Sequence, residues 1–243
     1  LRVLDEDMSP CTGCALKLHP TAGTIFHKSS TSLHLWFYAM YLMTSTRCGI
    51  SAKQLEREIG VTYKTAWRMF TLIRRELMEQ DDEPMEGPVE ADETYYGGTR
   101  RGMGQGYRGN KLPVFGVVQR GGRVRAMTVP NAKKATLMPH IQRYVLPSAT
   151  VYTDEMLSYN GLTRAGYHHR RIHHAEHVYV SGDVHTNTIE GFWSLVKRGI
   201  DGVYHAVDAD HLQGYLNEYA WRYSHRGDER SFFETLLLRA ARP

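Results

Sequence analysis

Three acidic residues and one lysine are spaced so that they could handle a phosphate. Asp92 falls in the alternating run VEADETYY at 89–96, Asp154 follows the apolar run TVYT at 150–153, and Glu190 lies in HTNTIEGFWSLVKR at 185–198. The intervals are 62 residues (154 − 92) and 36 residues (190 − 154). Carboxylates drawn together can hold two Mg²⁺ ions about 3.5–4 Å apart, one activating a water or 3′-hydroxyl and the other stabilising the leaving oxygen. Hard Mg²⁺ or Mn²⁺ prefers such oxygen donors. In the third stretch Ile189, Phe192, Leu195 and Val196 recur at three- and four-residue steps, which predicts a helix with one apolar face. Glu190 and Lys197, seven positions apart (197 − 190), then share the polar face two turns apart, with Trp193 and Ser194 between them and Arg198 following. A carboxylate and an ammonium so placed suit a metal ion beside a phosphate. The competing reading is a solvated ion pair on a surface helix, since exposed charges are usual there.

The elements that must position these residues are legible around them. The run at 89–96 reads as a strand; 112–119 and 123–129 flank Arg120-Gly121-Gly122 and read as a hairpin. A helix is predicted over 135–145, a short buried strand over 150–153, a further helix at 159–165 and a strand at 173–180. The helix carrying Glu190 comes next, then amphipathic helices at 211–223 and 232–240. Three strands, a helix, a strand, further elements and a closing helix make a ribonuclease H-like order. The expected fold class is therefore α/β, a mixed sheet flanked by helices over 89–228, with 229–243 as a C-terminal helix.

Between Gly97 and Lys111 lie six glycines together with Arg100, Arg101 and Arg108. The spelling GxGxxG at 104–109 matches a dinucleotide fingerprint, but a strand follows rather than a helix. No acid occurs between Thr94 and Thr153 to take a ribose hydroxyl, so that reading is rejected. From Thr94 to Arg125 there are seven Lys or Arg and no Asp or Glu, a basic, glycine-rich stretch suited to a phosphate backbone. His173 and His177 stand four apart near His168, His169, His174 and His185, but no HExxH appears, and Arg170-Arg171 among them points to phosphate rather than to a zinc hydrolase. For His185, a place near metal and phosphate competes with a purely structural loop role.

Upstream, the periodicity predicts helices at 33–45, 51–59 and from Tyr63 to about residue 78, with Ser51 and Thr62 as N-caps and Gly60 as a stop. Helix, glycine-containing turn and helix with polar and basic residues at its start is helix-turn-helix grammar over 32–79. Tyr63, Lys64 and Arg68 would face a DNA major groove; an ordinary three-helix bundle is the alternative. Cys11 and Cys14 form a CxxC pair, half of a tetrahedral zinc site, within a partial zinc-ribbon-like segment at 1–31. The second ligand pair is missing, which weakens a Zn²⁺ assignment. Nine acids and no Lys or Arg occur between Glu76 and Glu93, and with Pro84, Gly87 and Pro88 they predict an acidic linker at 80–88.

The 243 residues can bury a sizeable core, and the composition, 42% hydrophobic and 23% charged, is that of a globular protein. No apolar run reaches the roughly 18 residues of a membrane span, and no signal peptide opens the chain. Three cysteines argue against a disulfide framework and for a reducing compartment. A net charge of +4 permits a nucleic-acid partner. The start at Leu1 leads to the expectation of an N-terminally truncated chain.

VEADETYYGG at 89–98, YTD at 152–154 and GDVHTNTIEGFWSLVKRG at 182–199 resemble the three catalytic blocks of bacterial insertion-sequence transposases related to the Merlin DNA transposons. The resemblance continues upstream through CxxC at 11–14, TAGTIF at 21–26 and the helix-turn-helix, so it covers nearly the whole chain. It implies a DDE triad, here Asp92, Asp154 and Glu190, on a ribonuclease H-like fold, with Mg²⁺ or Mn²⁺ as cofactor and with double-stranded DNA, transposon ends and target, as partner. Lys197 matches a basic residue that contacts element-end DNA in such enzymes, and Asn187 shares a candidacy for the third position, because some relatives use Asn there. Ala91 stands where a branched apolar residue is expected. A bacterial cytoplasmic, nucleoid-associated protein acting as a dimer or larger on DNA follows from the same resemblance. Two alternatives stand beside this one: a helix-turn-helix regulator or decayed transposase that binds DNA without cutting it, and a cellular nuclease on the same fold.

Overall fold

The computed structural model describes residues 9–10, 17–18, 21–97, 111–172 and 185–241. The expectations resting on Cys11, Cys14, Arg100, Arg101, Arg108 and a strand at 173–180 lie outside the described residues. The chain divides into two compact units, Leu1–Glu79 with Asp228–Pro243, and Gln80–Gly227.

In the first unit a two-stranded antiparallel pair, β1 (Ser9–Pro10) and β2 (Lys17–Leu18), precedes the helices α1 (Leu33–Ser45), α2 (Ala52–Ile59) and α3 (Tyr63–Leu72). The predicted punctuation is present in atomic detail. The Ser51 hydroxyl accepts from the Gln54 N–H, Gly60 ends α2 at φ 67°, and the Thr62 hydroxyl accepts from the Thr65 N–H to open α3. Only glycine adopts that left-handed C-terminal conformation without strain. The third helix does not run on as one regular α-helix. It passes at Ile73–Leu77 into a π-helical turn. The C-terminal helix α7 (Phe232–Ala240) opens with a reciprocal capping box between Ser231 and Glu234 and belongs to this unit, with the Phe233 ring edge-on to Tyr41 of α1.

The second unit is built on a five-stranded sheet of order β5-β4-β3-β6-β7: β3 (Pro88–Tyr96), β4 (Leu112–Gln119), β5 (Val124–Thr128), β6 (Thr150–Thr153) and β7 (His168–Arg171). The hairpin strands β3, β4 and β5 are antiparallel, and β3, β6 and β7 are parallel. Because side chains alternate along a strand, β3 splits cleanly between two faces. Val89 and Ala91 point into the main core, with Phe115, Val117, Val151 and the helix α4 (Lys134–Tyr144), which supplies Leu137 and Ile141. Glu90 and Asp92 point to the opposite face, under α5 (Asn187–Gly199). A second π-helical turn at Ile200–Tyr204 and α6 (Ala209–Ser224) complete that layer, with Gln213 of α6 bonded to Ala126 and Thr128 of β5.

Residues 80–88 are anchored within the second unit. The Gln80 amide bonds both backbone groups of Ala126, Arg125 donates to the Asp81 carboxylate at 2.6 Å, and Met85 is fully buried beside Val145. Asp81 also meets Arg123, and Asp82 meets Arg143 of α4, while these acids stay exposed. The fifth strand lies at His168–Arg171, a polar edge segment, and 157–166 forms a short 3₁₀ turn (Leu157–Tyr159) and successive turns instead of a helix.

Candidate functional site

The site is built from β3 outward. Parallel pairing sets Glu90 opposite Tyr152 on β6. Continuing that register by two residues brings Asp92 alongside Asp154, with neighbouring strands about 4.8 Å apart. Asp92 therefore lies mid-strand on the α5 face of the sheet, and Asp154 stands just past the end of β6, near enough for its charge to act on Asp92. Burial, and then the charges of Glu93 and Asp154, push the Asp92 carboxyl up to about 7. A hydrogen bond of 3.0 Å from the Trp193 indole N–H to Asp92 Oδ2 works the other way, favouring the ionised form.

Trp193 reaches Asp92 because the sheet makes room for it. Asp92 is paired across the ladder with Gly116 of β4. A Cβ at Gly116 would lie 2.5 Å from Trp193 Cζ2, so the indole rests directly on the glycine backbone. Glu190 is one helical turn before Trp193 on α5, exposed, and its carboxylate accepts a 2.9 Å hydrogen bond from the Thr186 hydroxyl. Among the described residues no three His, Cys, Asp or Glu side chains are grouped so as to hold a metal ion. The structure thus brings two of the expected acids together and leaves the third on the adjoining helix face. Lys197 and Arg198 are exposed on α5, with Arg198 Nε donating to the Ser194 carbonyl, and Asn187 is exposed at its first turn. Lys111 is half-buried just before β4, close to the edge of the basic stretch.

Supporting contacts surround the aspartates. The buried Tyr159 hydroxyl donates to Glu93 at 2.7 Å; burial and that carboxylate push the phenol well above its ordinary range, so it stays a donor. Thr153, just before Asp154, pairs its hydroxyl with His169 Nε2 at 2.9 Å. Burial, and then Arg171, hold that imidazole down to about 4, so it is neutral at physiological pH. His185 stands 3.3 Å from the Glu90 carboxylate, at the entry to α5.

Nothing in the sequence reading marked Glu90, Arg120 and Gly116 as parts of this site, and it set Trp193 on the polar face of the helix, whereas the indole is buried against the sheet. Glu90 was legible in principle, since a residue two before Asp92 on a strand shares its face. Nothing in composition marked it as buried. In the first unit Tyr63, Lys64 and Arg68 are exposed on α3, the Tyr63 ring stacked on Trp67 at 6.3 Å with Lys53 Nζ 5.6 Å from its centre.

An open five-stranded sheet flanked by helices, with two carboxylates close together, is consistent with the α/β catalytic domains of DDE recombinases. Residues 84–224 match the ISXO2-like transposase domain, and the chain belongs to that transposase family. A relative described as an uncharacterized protein in transposable element ISH50 of Halobacterium salinarum is 33% identical over 233 residues, spanning 87% of this chain and 76% of the relative. An uncharacterized transposase-like protein of Haemophilus influenzae is 34% identical over 102 residues, spanning 42% of this chain and 81% of its own length. No helix among the described residues is long and apolar enough to cross a membrane.

Proposed function

We propose that this chain is a divalent-metal-dependent DNA transposase on a ribonuclease H-like fold, cleaving element ends and transferring 3′-hydroxyls into target DNA. The observation that carries this reading is the nearness of Asp92 and Asp154, two residues beyond the Glu90–Tyr152 pair, with Asp92 bonded to the helix that bears Glu190. The donor set fits Mg²⁺ or Mn²⁺: two half-buried carboxylates lie close together, and burial, with the charges of Glu93 and Asp154 added, raises Asp92 in a way that a cation would relieve. Asp92 and Asp154 would hold the metal, with Glu190, exposed and one turn from Trp193, as the third acid. When bound, such ions supply Lewis-acid activation of the attacking oxygen and neutralise charge at the leaving one.

The chain's own groups account for the rest. Trp193 fixes one Asp92 oxygen. Lys197 and Arg198, on the same helix as Glu190, are suited to backbone phosphates of the element end, and Arg100, Arg101, Arg108 and Lys111 to the flanking duplex. Tyr63, Lys64 and Arg68 on α3 fit the recognition helix of a helix-turn-helix, where their exposure at the start of the helix is what groove contact needs. Joining two ends requires two active sites, so the working form is at least a dimer on DNA and acts where the nucleoid is.

The test is cleavage of a supercoiled plasmid carrying the element ends, in Mg²⁺ and in Mn²⁺, by the wild-type chain and by Asp154→Asn. Cleavage by the wild type alone, with products joined to a second plasmid, supports the reading. Undiminished cleavage by the variant would defeat it. The placement of Glu190 against Thr186 also favours a second reading, a DNA-binding regulator; specific binding to the ends with no cleavage in either metal is its signature.

A further inference from the structure

We propose that Glu90 is a positioning residue for this site: it caps α5 from the sheet and so sets where Glu190 stands relative to Asp92. The inference rests on the metal-dependent reading above.

A helix ordinarily finds its N-cap in the residue that precedes it. Thr186, in the N-cap position of α5, makes no such bond; its hydroxyl is turned to the Glu190 carboxylate instead. The cap comes from β3. Glu90 Oε2 accepts from the backbone N–H groups of Thr188 at 2.8 Å and Ile189 at 2.9 Å, and Oε1 accepts from the Thr188 hydroxyl at 2.9 Å. The carboxylate is fully buried. Its charge is met by Arg120 Nε at 2.7 Å, with His185 Nδ1 3.3 Å away, and Arg120 Nη2 in turn holds the His185 carbonyl at 2.8 Å. The Arg120 guanidinium lies over the Tyr152 ring, 4.1 Å from its centre, so the brace is anchored on β6 as well. A carboxylate bonded to the first N–H groups of a helix satisfies groups that have no partner within the helix and complements its dipole.

The consequence is geometric. Two anchors join β3 to α5: Glu90 to Thr188 and Ile189, and Asp92 to Trp193. Two residues of strand advance about 6.6 Å, and four to five residues of helix advance about 6 to 7.5 Å. The spans match, so helix and strand are laced side by side in register, and Glu190 falls between the two anchors. Loss of the first anchor leaves the indole as the remaining hydrogen-bonded tie between these two elements, with apolar packing through Ile189 and Phe192 to hold a helix end that can then tilt where it carries Glu190.

The experiment compares the full-length wild type with Glu90→Gln and Glu90→Asp, the second keeping the charge on a side chain one methylene shorter. Three quantities are read: amide exchange at Thr188 and Ile189, Mn²⁺ binding by electron paramagnetic resonance, and single-turnover cleavage at saturating DNA. The expected result is at least about tenfold faster exchange at both amides. Mn²⁺ affinity should fall about 10–100-fold, as for other residues that orient metal ligands, and the cleavage rate should fall without loss of DNA affinity. Glu90→Asp should not rescue, because it cannot reach the helix. Variants that melt earlier but titrate Mn²⁺ and cleave like the wild type would reduce Glu90 to a fold-stabilising residue and overturn the proposal. If neither Glu90 variant folds, Thr188→Val, which removes the hydroxyl bond alone, should still weaken Mn²⁺ several-fold; wild-type binding there would overturn it too. Asp92→Asn separates the two levels: if it binds Mn²⁺ like the wild type, the metal-dependent reading itself has failed, independently of what Glu90 does.

Discussion

The Trp193 indole N–H donates to Asp92 Oδ2 at 3.0 Å, joining the helix of the third acidic residue to the strand of the first across a sequence separation of 101 residues. The contact does two things at once. It orients the Asp92 carboxylate on the face of the sheet, and it opposes the upward push on that carboxyl from burial and from Glu93 and Asp154. An indole is a donor with no acceptor capacity, so the bond favours the ionised Asp92 that a metal requires.

Trp193→Phe should therefore weaken metal binding while leaving the helix packed on the sheet. A hydrogen bond to a charged group is worth about 1.5–3 kcal/mol, which corresponds to roughly tenfold or more in Mn²⁺ affinity. Isothermal titration of the metal into the two proteins checks this. Equal affinities would mean that the indole serves packing alone.

Gly116→Ala should be costly for a residue of so little volume. The added Cβ would sit 2.5 Å and 2.7 Å from two indole carbons and 3.1 Å from Ile189 Cδ1. Overpacking of this kind costs about 1–3 kcal/mol, visible as a lower urea midpoint with an unchanged slope. Because the clash is with the outer ring of the indole, Trp193→Phe should relieve part of it, and the double variant should be more stable than the sum of the single effects implies. Strict additivity would show that the glycine is needed for some other reason.

The metal-free chain should lose stability as pH rises toward and through 7. The Asp92 carboxyl is raised from 3.8 to about 7 in the folded protein, so the fold takes up this proton more readily than the unfolded chain does. Its contribution is fully present below the unfolded value, declines across the interval between the two, and is gone above about 7. Melting temperatures with chelator present should thus fall between pH 5 and 8, and Asp92→Asn should flatten that part of the profile. Mn²⁺ must displace the same proton, so its apparent affinity should rise about tenfold per unit up to pH 7 and level off beyond. An identical slope in Asp92→Asn would assign the dependence to another group.

Much of this architecture was written in local patterns. Alternation placed β3 and β4 almost to the residue, and Ser51, Gly60 and Thr62 bounded α2 and opened α3, because caps and left-handed turns are decided by neighbours in sequence. Asp92, Asp154 and Glu190 stood out by type and by their places within a strand, at a strand end and on a helix face. What escaped was decided at long range. β7 is His-His-Arg-Arg, with no apolar alternation, and becomes a strand only because β6 offers it an edge. Glu90 read as one more acid in an acidic stretch; its burial depends on Arg120 and on a helix that begins 97 positions later (187 − 90). Ala91, short where a branched side chain was expected, is fully buried in the core beneath α4. The acids at 80–86 read as a linker because the partners of Asp81 and Asp82, namely Arg123, Arg125 and Arg143, are reached only through folding.

Glu190 and Asn187 compete for the role of third ligand, and the structure places them differently enough to separate them. Both are exposed on α5, but Glu190 is three residues before Trp193 and so stands one turn from the contact with Asp92, whereas Asn187 is six before it and sits at the first turn. A carboxylate also offers metal a charge that an amide does not. Glu190→Gln is expected to lower single-turnover cleavage by about 100-fold or more, the equivalent of losing several kcal/mol of transition-state charge stabilisation, with DNA affinity unchanged. Asn187→Ala is expected to cut at close to the wild-type rate. Thr186→Val, which removes the hydroxyl that now holds Glu190, should leave the acid freer to turn toward the aspartates and should not slow cleavage. Parallel single-turnover time courses decide the matter. A large loss in Asn187→Ala with a small one in Glu190→Gln would move the third position to the start of α5, next to the Thr188 and Ile189 amides that Glu90 holds.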